Sequence, residues 1–487
     1  MYKIAHINIS KWKIILISGD LCCYIIAVFG SLYLNPKIEF GILAFLSSYK
    51  YSFLLMFLIF FTVFYIADIF DYQQDYRQWN NIRRIIASVM VGSLLAIVLF
   101  YFPFGAFIGR TLLVIQAGTL ALLLVLWRWT FSTLALPKRL KKRLIIVGAG
   151  EAGCAILNAI LRRPNCGFEV LGFIDDDPKK KGTDVEGLPV LGNSSQLQDI
   201  VEQNRLTLLI IAITREKSDA LLRALSRLSW NGCQLIDMLS LYEIIAEKIP
   251  IDHISDVWLY LNSLQAGHLY YRHLKRLFDF GLALLLFAFT CPLFLLTALV
   301  IKFDSSGPIF FRQKRLGQNG RPFEIIKFRT MINNAESDGP RFAILNDRRI
   351  TRVGWILRKI RFDELPQLIN VLKGEMSFVG PRPEREEFVR EFQELKPLRR
   401  PGRRIGDPPG WAVQVGFKET IPFYSYRLVV KPGITGWAQV KYPYASSLEQ
   451  TKEKLKYDLY YIKNMGVFLD LSILLKTVRI VLFGRGT

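Results

Sequence analysis

The chain has 487 residues, which allows about two to four domains, and it is 51% apolar while carrying a formal charge of +22. That pairing points to apolar segments in a bilayer beside basic surfaces that face anionic lipid or phosphate, with no nucleic-acid partner. Six scattered cysteines (Cys22, Cys23, Cys154, Cys166, Cys233, Cys291), with no Cys-x-x-Cys pair and only four histidines, exclude a disulfide framework and a zinc cluster. Reduced, cytosol-facing soluble parts are the natural inference.

Lys3, Lys11 and Lys13 precede the first apolar run. No small-residue cleavage site follows it cleanly, so it reads as an anchor rather than a signal peptide. Four apolar stretches, 14–34, 52–70, 85–102 and 111–136, are each of membrane-crossing length or nearly so. Basic residues assign their direction. Lys3, Lys11 and Lys13 stand before the first run, Arg77, Arg83 and Arg84 between the second and third, and Lys138 to Arg143 after the fourth. All three groups belong on the cytoplasmic side, and loops 35–49 and 103–110 belong outside. Residues 1–137 are thus expected to form an α-helical transmembrane bundle; a buried soluble bundle is the plainer alternative.

Residues 138–250 change character. Leu144-Ile145-Ile146-Val147 has the pattern of a buried strand and leads into Gly148-Ala149-Gly150-Glu151-Ala152-Gly153 and a helical run. Further strands are expected at 170–174, ending in Asp175-Asp176-Asp177, and at 208–213. Strands alternating with helices predict a Rossmann-like α/β domain. Gly148, Gly150 and Gly153 match a dinucleotide fingerprint in the right context, so they form a candidate nucleotide-binding loop. The same loop can instead hold a sugar-nucleotide phosphate or nothing.

Residues 251–271 look like a connector. The fifth apolar stretch, 277–301, has Arg272, Lys275 and Arg276 before it and Lys302, Arg312, Lys314 and Arg315 after it. Positive charge at both ends places both on the cytoplasmic face. Cys291-Pro292, near the middle, offers a break, so the expectation is a re-entrant helix–break–helix rather than a true span. Beyond residue 303 the chain is basic, with short amphipathic helices. Residues 345–360 suit the membrane surface, and 399–422 read as a long loop or mobile hairpin.

One stretch stands out chemically. Phe362-Asp363-Glu364-Leu365-Pro366-Gln367 opens a predicted helix that ends at Gly374, with Leu365, Leu368, Ile369 and Leu372 on one apolar face. Asp363 and Glu364 then sit at the positive end of the helix dipole, which favours their ionised forms. Arg358, Lys359, Arg361 and Arg382 are close in sequence. A carboxylate in that setting is either a nucleophile or metal ligand beside a phosphate, or simply a helix cap.

From about residue 272 to 487 the chain resembles the bacterial sugar transferase family, the polyprenyl-phosphate hexose-1-phosphate transferases. The resemblance rests on matches in order: Lys275-Arg276-Leu277-Phe278-Asp279; Gly307-Pro308-Ile309-Phe310-Phe311; Lys327-Phe328-Arg329-Thr330-Met331; Asp363-Glu364-Leu365-Pro366-Gln367; Met376-Ser377-Phe378-Val379-Gly380-Pro381-Arg382-Pro383; Lys431-Pro432-Gly433-Ile434-Thr435-Gly436-Trp437-Ala438-Gln439-Val440; and Tyr457-Asp458-Leu459-Tyr460-Tyr461, with Asp470-Leu471 near the end. It implies a multi-domain membrane protein whose mostly α-helical catalytic domain, 272–487, carries the re-entrant helix. It implies a bacterial inner-membrane enzyme, with the catalytic domain on the cytoplasmic face and a homodimer as in the larger relatives. Such an enzyme moves a sugar 1-phosphate from a UDP-sugar to undecaprenyl phosphate, releasing UMP through a covalent aspartyl phosphosugar, with Mg²⁺. The family pattern puts the nucleophile at Asp363 and a metal-binding acid at Glu364, with Asp363 also near the metal. It puts phosphate contacts at Arg358, Arg382, Lys327 and Arg329, and further site positions at Gln439, Asp470, Lys275 and Arg276. Cys291-Pro292 stands where the family has Ser-Pro, and Arg361 where many members have Ser or Thr. Oxygen ligands and the lack of a Cys/His cluster independently favour Mg²⁺ over zinc. Asp470 also fits a capping or salt-bridged residue, Gln439 a turn residue, and Arg329 a solvated strand residue.

Two other readings have some support in the residues. One is a membrane-anchored, NAD-dependent sugar-nucleotide dehydratase or epimerase, which the Gly148 loop and the Tyr271-x-x-x-Lys275 spacing favour. The other is a non-catalytic scaffold of polysaccharide assembly, against which the intact Asp-Glu pair speaks. No motif identifies the sugar.

Overall fold

The computed structural model describes residues 2–4, 7–9, 11–34, 42–71, 74–101, 110–135, 141–163, 166–213, 218–254, 267–332, 349–386, 393–395, 417–419, 421–442 and 447–483. The chain divides into two compact units, Met1–Ile245 and Ala246–Thr487.

The first unit opens with a short antiparallel pair, β1 (Tyr2–Ile4) and β2 (Ile7–Ile9), then four long helices: α1 (Lys11–Tyr33), α2 (Ile42–Ile66), α3 (Trp79–Tyr101) and α4 (Arg110–Ala135). All four are long and apolar enough to cross a membrane. Helix α1 packs on α4 and α2 on α3. Leu54, Met90, Leu94, Val114 and Leu122 point outward, as suits side chains solvated by lipid. The third helix begins at Trp79 rather than near 85, because its polar first turns, with Arg83 and Arg84, continue the helix beyond the apolar run. Two charged residues are buried inside this bundle. Arg128 donates from Nε to Asp20 Oδ1 (3.1 Å) and from Nη1 to the Ile69 carbonyl, and its guanidinium lies 4.7 Å from the centre of the Tyr76 ring. In so apolar a setting the pair is tolerated because each charge neutralises the other.

The α/β part follows: β3 (Lys142–Val147), α5 (Glu151–Leu161), β4 (Phe168–Ile174), β5 (Asp184–Val185), β6 (Leu188–Gly192), α6 (Leu197–Gln203), β7 (Leu208–Ile211), α7 (Asp219–Trp230), β8 (Gln234–Asp237) and α8 (Met238–Ala246). The strand order is β5-β6-β4-β3-β7-β8, and every pairing is parallel except that of β5 with β6. Strand β3 lies where the winding reverses, so the loop after it occupies the crevice at which open α/β sheets hold ligands. Its core is apolar throughout, with Ile145, Val147, Ile174, Leu209 and Leu225 all buried.

In the second unit, Ile249 and Ile251 are buried in the core of that unit, and Ile249 N–H donates to the Lys456 carbonyl (3.0 Å). The stretch just after residue 246 therefore packs with the C-terminal half of the chain, and the boundary falls slightly before the one expected at 250. The fifth apolar helix, α9, runs from Gly267 to Asp304, 38 residues, or about 57 Å if straight. Pro292 lies inside it, and the helix is assigned without interruption through that position. The antiparallel ribbon β9 (Phe310–Leu316) and β10 (Pro322–Phe328) comes after it, then α10 (Arg352–Lys359) and α11 (Gln367–Lys373). Next come β11 (Ser377–Val379), β12 (Gln393–Leu395), β13 (Phe417–Glu419), β14 (Gly433–Thr435), α12 (Trp437–Lys441), α13 (Leu448–Lys463) and α14 (Val467–Phe483). Strands β11 and β14 pair in parallel. Most of 399–422 lies outside the described residues, but β12 and β13 pair antiparallel across it, as the base of a hairpin would. Of the amphipathic stretch 345–360, residues 345–348 lie outside the described residues. The helix itself is Arg352–Lys359, with Trp355 and Ile356 exposed.

Both ends of α9 are fastened to this second unit. Near its start, Arg276 donates to the carbonyls of Val371 (2.5 Å) and Leu372 (2.8 Å), and Asp279 accepts from Phe378 N–H (3.2 Å). Near its end, Phe294 and Ile301 join a cluster with Phe328 and Leu357, and Asp304 accepts from Val353 N–H (3.3 Å).

Candidate active site

The Asp-Glu stretch forms differently from its sequence expectation. Phe362–Glu364 is a single 3-10 turn, and α11 begins only after Pro366. Arg361, at φ 60°, adopts the left-handed conformation that reverses the chain between α10 and this turn. A non-glycine residue held there stores strain, and it stands two positions before Asp363. Helix α11 ends at Gly374, φ 85°, as expected. Its apolar face is only partly the expected one. Leu368 and Val371 are buried, but so are Gln367 and Asn370. Asn370 accepts from Ile326 N–H (3.1 Å) and donates to the Glu324 carbonyl (2.7 Å) and Glu375 Oε2 (2.7 Å). It thereby ties α11 to β10, the strand that carries Lys327.

The pairing on β10 sets the electrostatics. Lys327 Nζ donates to Glu364 Oε1 (2.9 Å), and Arg382 Nη2 reaches the same oxygen (3.0 Å). Burial opposes ionisation of Glu364, yet Lys327 and then Arg382 outweigh it and hold its carboxyl well below the usual range. Burial likewise pushes Lys327 below its ordinary value. Asp363 behaves oppositely. Burial raises its pKa and the neighbouring Glu364 charge adds to this, against the attraction of Lys327, Arg358 and Arg361. The expectation that the helix dipole favours ionisation of both acids therefore fails for Asp363. The dipole starts beyond Pro366, and desolvation wins. Asp363 Oδ1 is buried and has no hydrogen-bond partner, which leaves it available to a substrate atom or a cation.

Arg358 completes the group by donating from Nε to Thr330 Oγ1 (2.8 Å). The loop carrying Arg382 is held from behind. Arg427 Nη2 donates to the Arg382 carbonyl (3.2 Å), Arg315 Nη1 to that of Pro383 (3.3 Å), and Glu384 pairs with Lys454 (3.1 Å). Arg427, itself buried, also lies 2.9 Å from Asp458. Sequence reasoning missed Arg427 and Asn370. The glycines of the flanking motifs have a steric purpose. A Cβ on Gly433 would come within 2.1 Å of the Gly380 nitrogen, so β11 and β14 approach this closely only with glycine at those positions.

The structure thus gathers Asp363, Glu364, Lys327, Arg382 and Arg358. Arg329, two residues beyond Lys327, lies just past the end of β10 and donates from Nη2 to the Ser305 carbonyl (2.6 Å), so it is not gathered with them. Other candidates lie elsewhere. Lys275, Tyr271 and Tyr461 all direct their polar atoms to Asp470, the Tyr461 contact at 2.9 Å, so this cluster fastens α9 to α13 and α14. With Tyr271 and Lys275 both engaged there, the spacing that suits a dehydratase has no free phenol. Arg276 caps the end of α11. Gln439, on α12, keeps a buried, unpartnered amide nitrogen.

In the other unit the glycine loop has the geometry of its motif. Gly148 has φ 110°, Gly150 faces open space, and a Cβ on Gly153 would meet the Gly148 carbonyl at 2.1 Å. Asp175, the acid after β4, already accepts from Ala149 N–H (2.8 Å) and pairs with Lys180 (3.1 Å).

Among the described residues no group of three or more His, Cys, Asp or Glu gathers to cage a metal. A Mg²⁺ ion fits nonetheless. It commonly uses one or two carboxylates and takes its other ligands from water and substrate phosphates. Asp363 offers its unpartnered oxygen, and both cations sit on Glu364 Oε1, which leaves Oε2.

The raised pKa of Asp363 has a kinetic consequence. Where its ionised form is the active one, activity falls as pH drops through a value above the ordinary 3.8. Lys327→Met removes the largest attraction holding that value down. The acid limb of kcat/KM is therefore expected to move to higher pH in Lys327→Met; a limb that stays put or moves lower would contradict the assignment.

The sequence profile of the bacterial sugar transferase family matches residues 270–484, and that of a CoA-binding domain matches residues 65–238. The UDP-N-acetylgalactosamine-undecaprenyl-phosphate N-acetylgalactosaminephosphotransferase of Aeromonas hydrophila is 39% identical over 264 residues, which are 54% of this chain and 56% of that protein. A UDP-glucose:undecaprenyl-phosphate glucose-1-phosphate transferase of Escherichia coli (strain K12) is 31% identical over 343 residues, 69% of this chain and 67% of that protein. One of the same description from Caulobacter vibrioides is 40% identical over 208 residues, 42% of this chain and 68% of that protein.

Proposed function

We propose, from the premise that this chain belongs to the bacterial sugar transferase family, that it is an undecaprenyl-phosphate sugar-1-phosphate transferase using a UDP-sugar as donor. The observation that carries this reading is the buried, unpartnered Asp363 oxygen beside a Glu364 already neutralised by Lys327 and Arg382.

The chemistry runs in two displacements. The Asp363 carboxylate attacks the sugar-bearing phosphorus of the donor, a P–O bond to the UMP phosphate breaks, and UMP leaves with that electron pair. An oxygen of undecaprenyl phosphate then attacks the aspartyl phosphosugar, forming the lipid-linked diphosphate sugar and returning Asp363 as a carboxylate. Lys327, Arg382 and Arg358 neutralise charge on the transferring phosphoryl oxygens. Bound Mg²⁺, held by Asp363 and Glu364 Oε2, would add Lewis-acid neutralisation of the pyrophosphate. Since Glu364 is kept ionised and Asp363 is the acid that burial destabilises as an anion, the two neighbours take different parts.

The chain works at the bacterial inner membrane with the catalytic unit on the cytoplasmic face, where UDP-sugars are found. Helix α9 is read as re-entrant about Pro292. Supporting this, both of its ends are fastened to one and the same unit, whereas a spanning helix would present them to opposite aqueous phases. A homodimer completes the assembly. The Gly148–Gly150–Gly153 loop is a candidate phosphate-binding loop that takes no part in the transfer.

Incubating the purified protein with undecaprenyl phosphate and a panel of UDP-glucose, UDP-galactose and their N-acetylated forms tests this. UMP and lipid-linked sugar are expected in equal amounts for at least one donor. No UMP from any donor would overturn the reading, and conversion of the sugar with its UDP intact would point to dehydratase or epimerase chemistry.

A further inference from the structure

The segment Pro381–Glu384 carries Arg382 into the site, and its backbone is pinned at each step. The Pro381 carbonyl accepts from Gly433 N–H (2.9 Å) and that of Arg382 from Arg427 Nη2 (3.2 Å). The Pro383 carbonyl accepts from Arg315 Nη1 (3.3 Å) and that of Glu384 from Leu316 N–H (3.1 Å). Pro381 and Pro383 have fixed φ, and Pro383 also biases Arg382 towards an extended backbone. The Arg382 side chain is 37% exposed, so on a loose backbone its guanidinium could reach solvent as easily as Glu364.

The pin on Arg382 itself is a buried cation from a distant segment. Arg427 lies in the 3-10 helix Tyr424–Val429 and is held on several sides. Its Nη1 donates to the Tyr424 hydroxyl (2.7 Å), its Nε lies 2.9 Å from Asp458 Oδ2, and its Nη2 lies 3.5 Å from Glu384 Oε1. Lys454, one turn before Asp458 on α13, pairs with the same Glu384 oxygen (3.1 Å). Burial opposes ionisation of Glu384, yet Lys454 and then Arg427 bring its carboxyl down to about 2, so this anchor is charged at any working pH. The Arg427 and Asp458 side chains are only 5% and 2% exposed. An ion pair so buried is a weak source of stability, because desolvation offsets most of the attraction. What it supplies here is a fixed place for one backbone carbonyl.

We infer that Arg427 is a positioning residue for the transfer, which acts through the Arg382 carbonyl to fix the backbone from which Arg382 reaches Glu364 Oε1 and the donor pyrophosphate. Asp458 and Glu384 are its anchors, one on α13 and one on the Arg382 segment itself. Arg427 touches no reacting atom. Its effect is precision: a displacement of about 1 Å in a phosphate-gripping group costs on the order of a hundredfold in rate. This assignment rests on the two-displacement reading above.

A double-mutant cycle in the full chain, held in lipid nanodiscs, provides the test. Arg427→Lys keeps the charge, but one ammonium cannot serve Asp458, Tyr424 and the Arg382 carbonyl together. In the parent background it is expected to lower kcat/KM for the UDP-sugar roughly tenfold or more. In an Arg382→Gln background the same change is expected to cost less than about twofold, because the group that Arg427 positions is already gone. A merely structural Arg427 would lower activity by the same factor in both backgrounds, and that result would overturn the assignment. If Arg427→Lys does not fold, Tyr424→Phe takes its place. It removes one contact to Arg427, keeps both ion pairs, and is expected to cost about threefold in the parent and nothing beside Arg382→Gln. A thermal arm needs no turnover. The fall in melting temperature caused by Arg382→Gln, which reports the contact of Arg382 with Glu364, is expected to shrink when Arg427 is lysine; an undiminished fall would overturn the assignment. Failure of the parent to transfer any sugar would count against the transferase reading, and the thermal arm would still judge Arg427.

Discussion

Asp363→Asn is expected to abolish UMP release while leaving the protein at least as stable as its parent. The side chains are nearly isosteric, so the variant removes charge and nucleophilicity without opening a cavity. Loss of a covalent nucleophile costs on the order of a thousandfold or more in turnover. The stability half of the expectation comes from the site. Burial is the largest influence on Asp363 and works against its ionised form. A neutral amide suits that environment better than a carboxylate, and no hydrogen bond to Oδ1 is lost, because none exists. Catalysis and stability therefore pull in opposite directions at this residue, as they do where binding energy is spent on holding a reactive group in an unfavourable state. UMP release assayed beside thermal unfolding in the same detergent decides the matter. A folded Asn variant that turns over at the parental rate would remove Asp363 from the mechanism. A large fall in melting temperature would mean that the carboxylate supports the fold instead.

Much of this arrangement is written in local sequence, and the unread part is non-local. The four N-terminal helices follow from apolar run length, and the α/β unit from buried-strand runs around a glycine loop, because both signals are periodic and short in range. The helix stop at Gly374 is equally local. Arg427 and Asn370 are different. Arg427 lies in a segment with no period or motif, and what gives it meaning is its contact with the Arg382 carbonyl, 45 residues away in the chain. Asn370 sits on the side of the helical wheel away from the expected apolar face, where a solvated polar residue is unremarkable, and only the approach of β10 shows that it is buried and bonded. Asp20 and Arg128 do leave a sequence signal, one acid and one base inside otherwise apolar helices, since unpaired charges are not kept in such surroundings. The ionisation of Asp363 is not legible in the same way, because a helix dipole can be read from sequence, whereas desolvation needs the packed structure.

Glu364→Gln is expected to be the most damaging single substitution in the site, and to differ in kind from the change next door. Glu364 holds two cations on one oxygen, and its side chain is 10% exposed. Removing its charge leaves Lys327, only 19% exposed and already destabilised as a cation by burial, facing Arg382 with the weaker attraction of Asp363 left to balance it. Arg382, at 37% exposure, can turn into solvent, so most of the cost falls on Lys327. Breaking a buried pair from one side typically costs about 3–5 kcal/mol, and the partial exposure here argues for the lower end, roughly 3 kcal/mol. Activity is expected to be lost as well, because Arg382 leaves the phosphate site together with its anchor. Two further measurements separate the stability effect from the catalytic one. In the double variant Glu364→Gln/Lys327→Met, the unpaired buried cation is gone, so most of the stability returns while activity does not. The pH dependence has a definite sign. The folded pKa of Glu364 lies below its ordinary value of 4.5, so its stabilisation is fully present above that pH and is lost as pH falls toward the folded value. The stability gap between parent and Glu364→Gln should therefore be widest at neutral pH and close on acidification. Equal stability of the two proteins at neutral pH, or a gap that widens in acid, would show that Glu364 does not hold Lys327 and Arg382 in place.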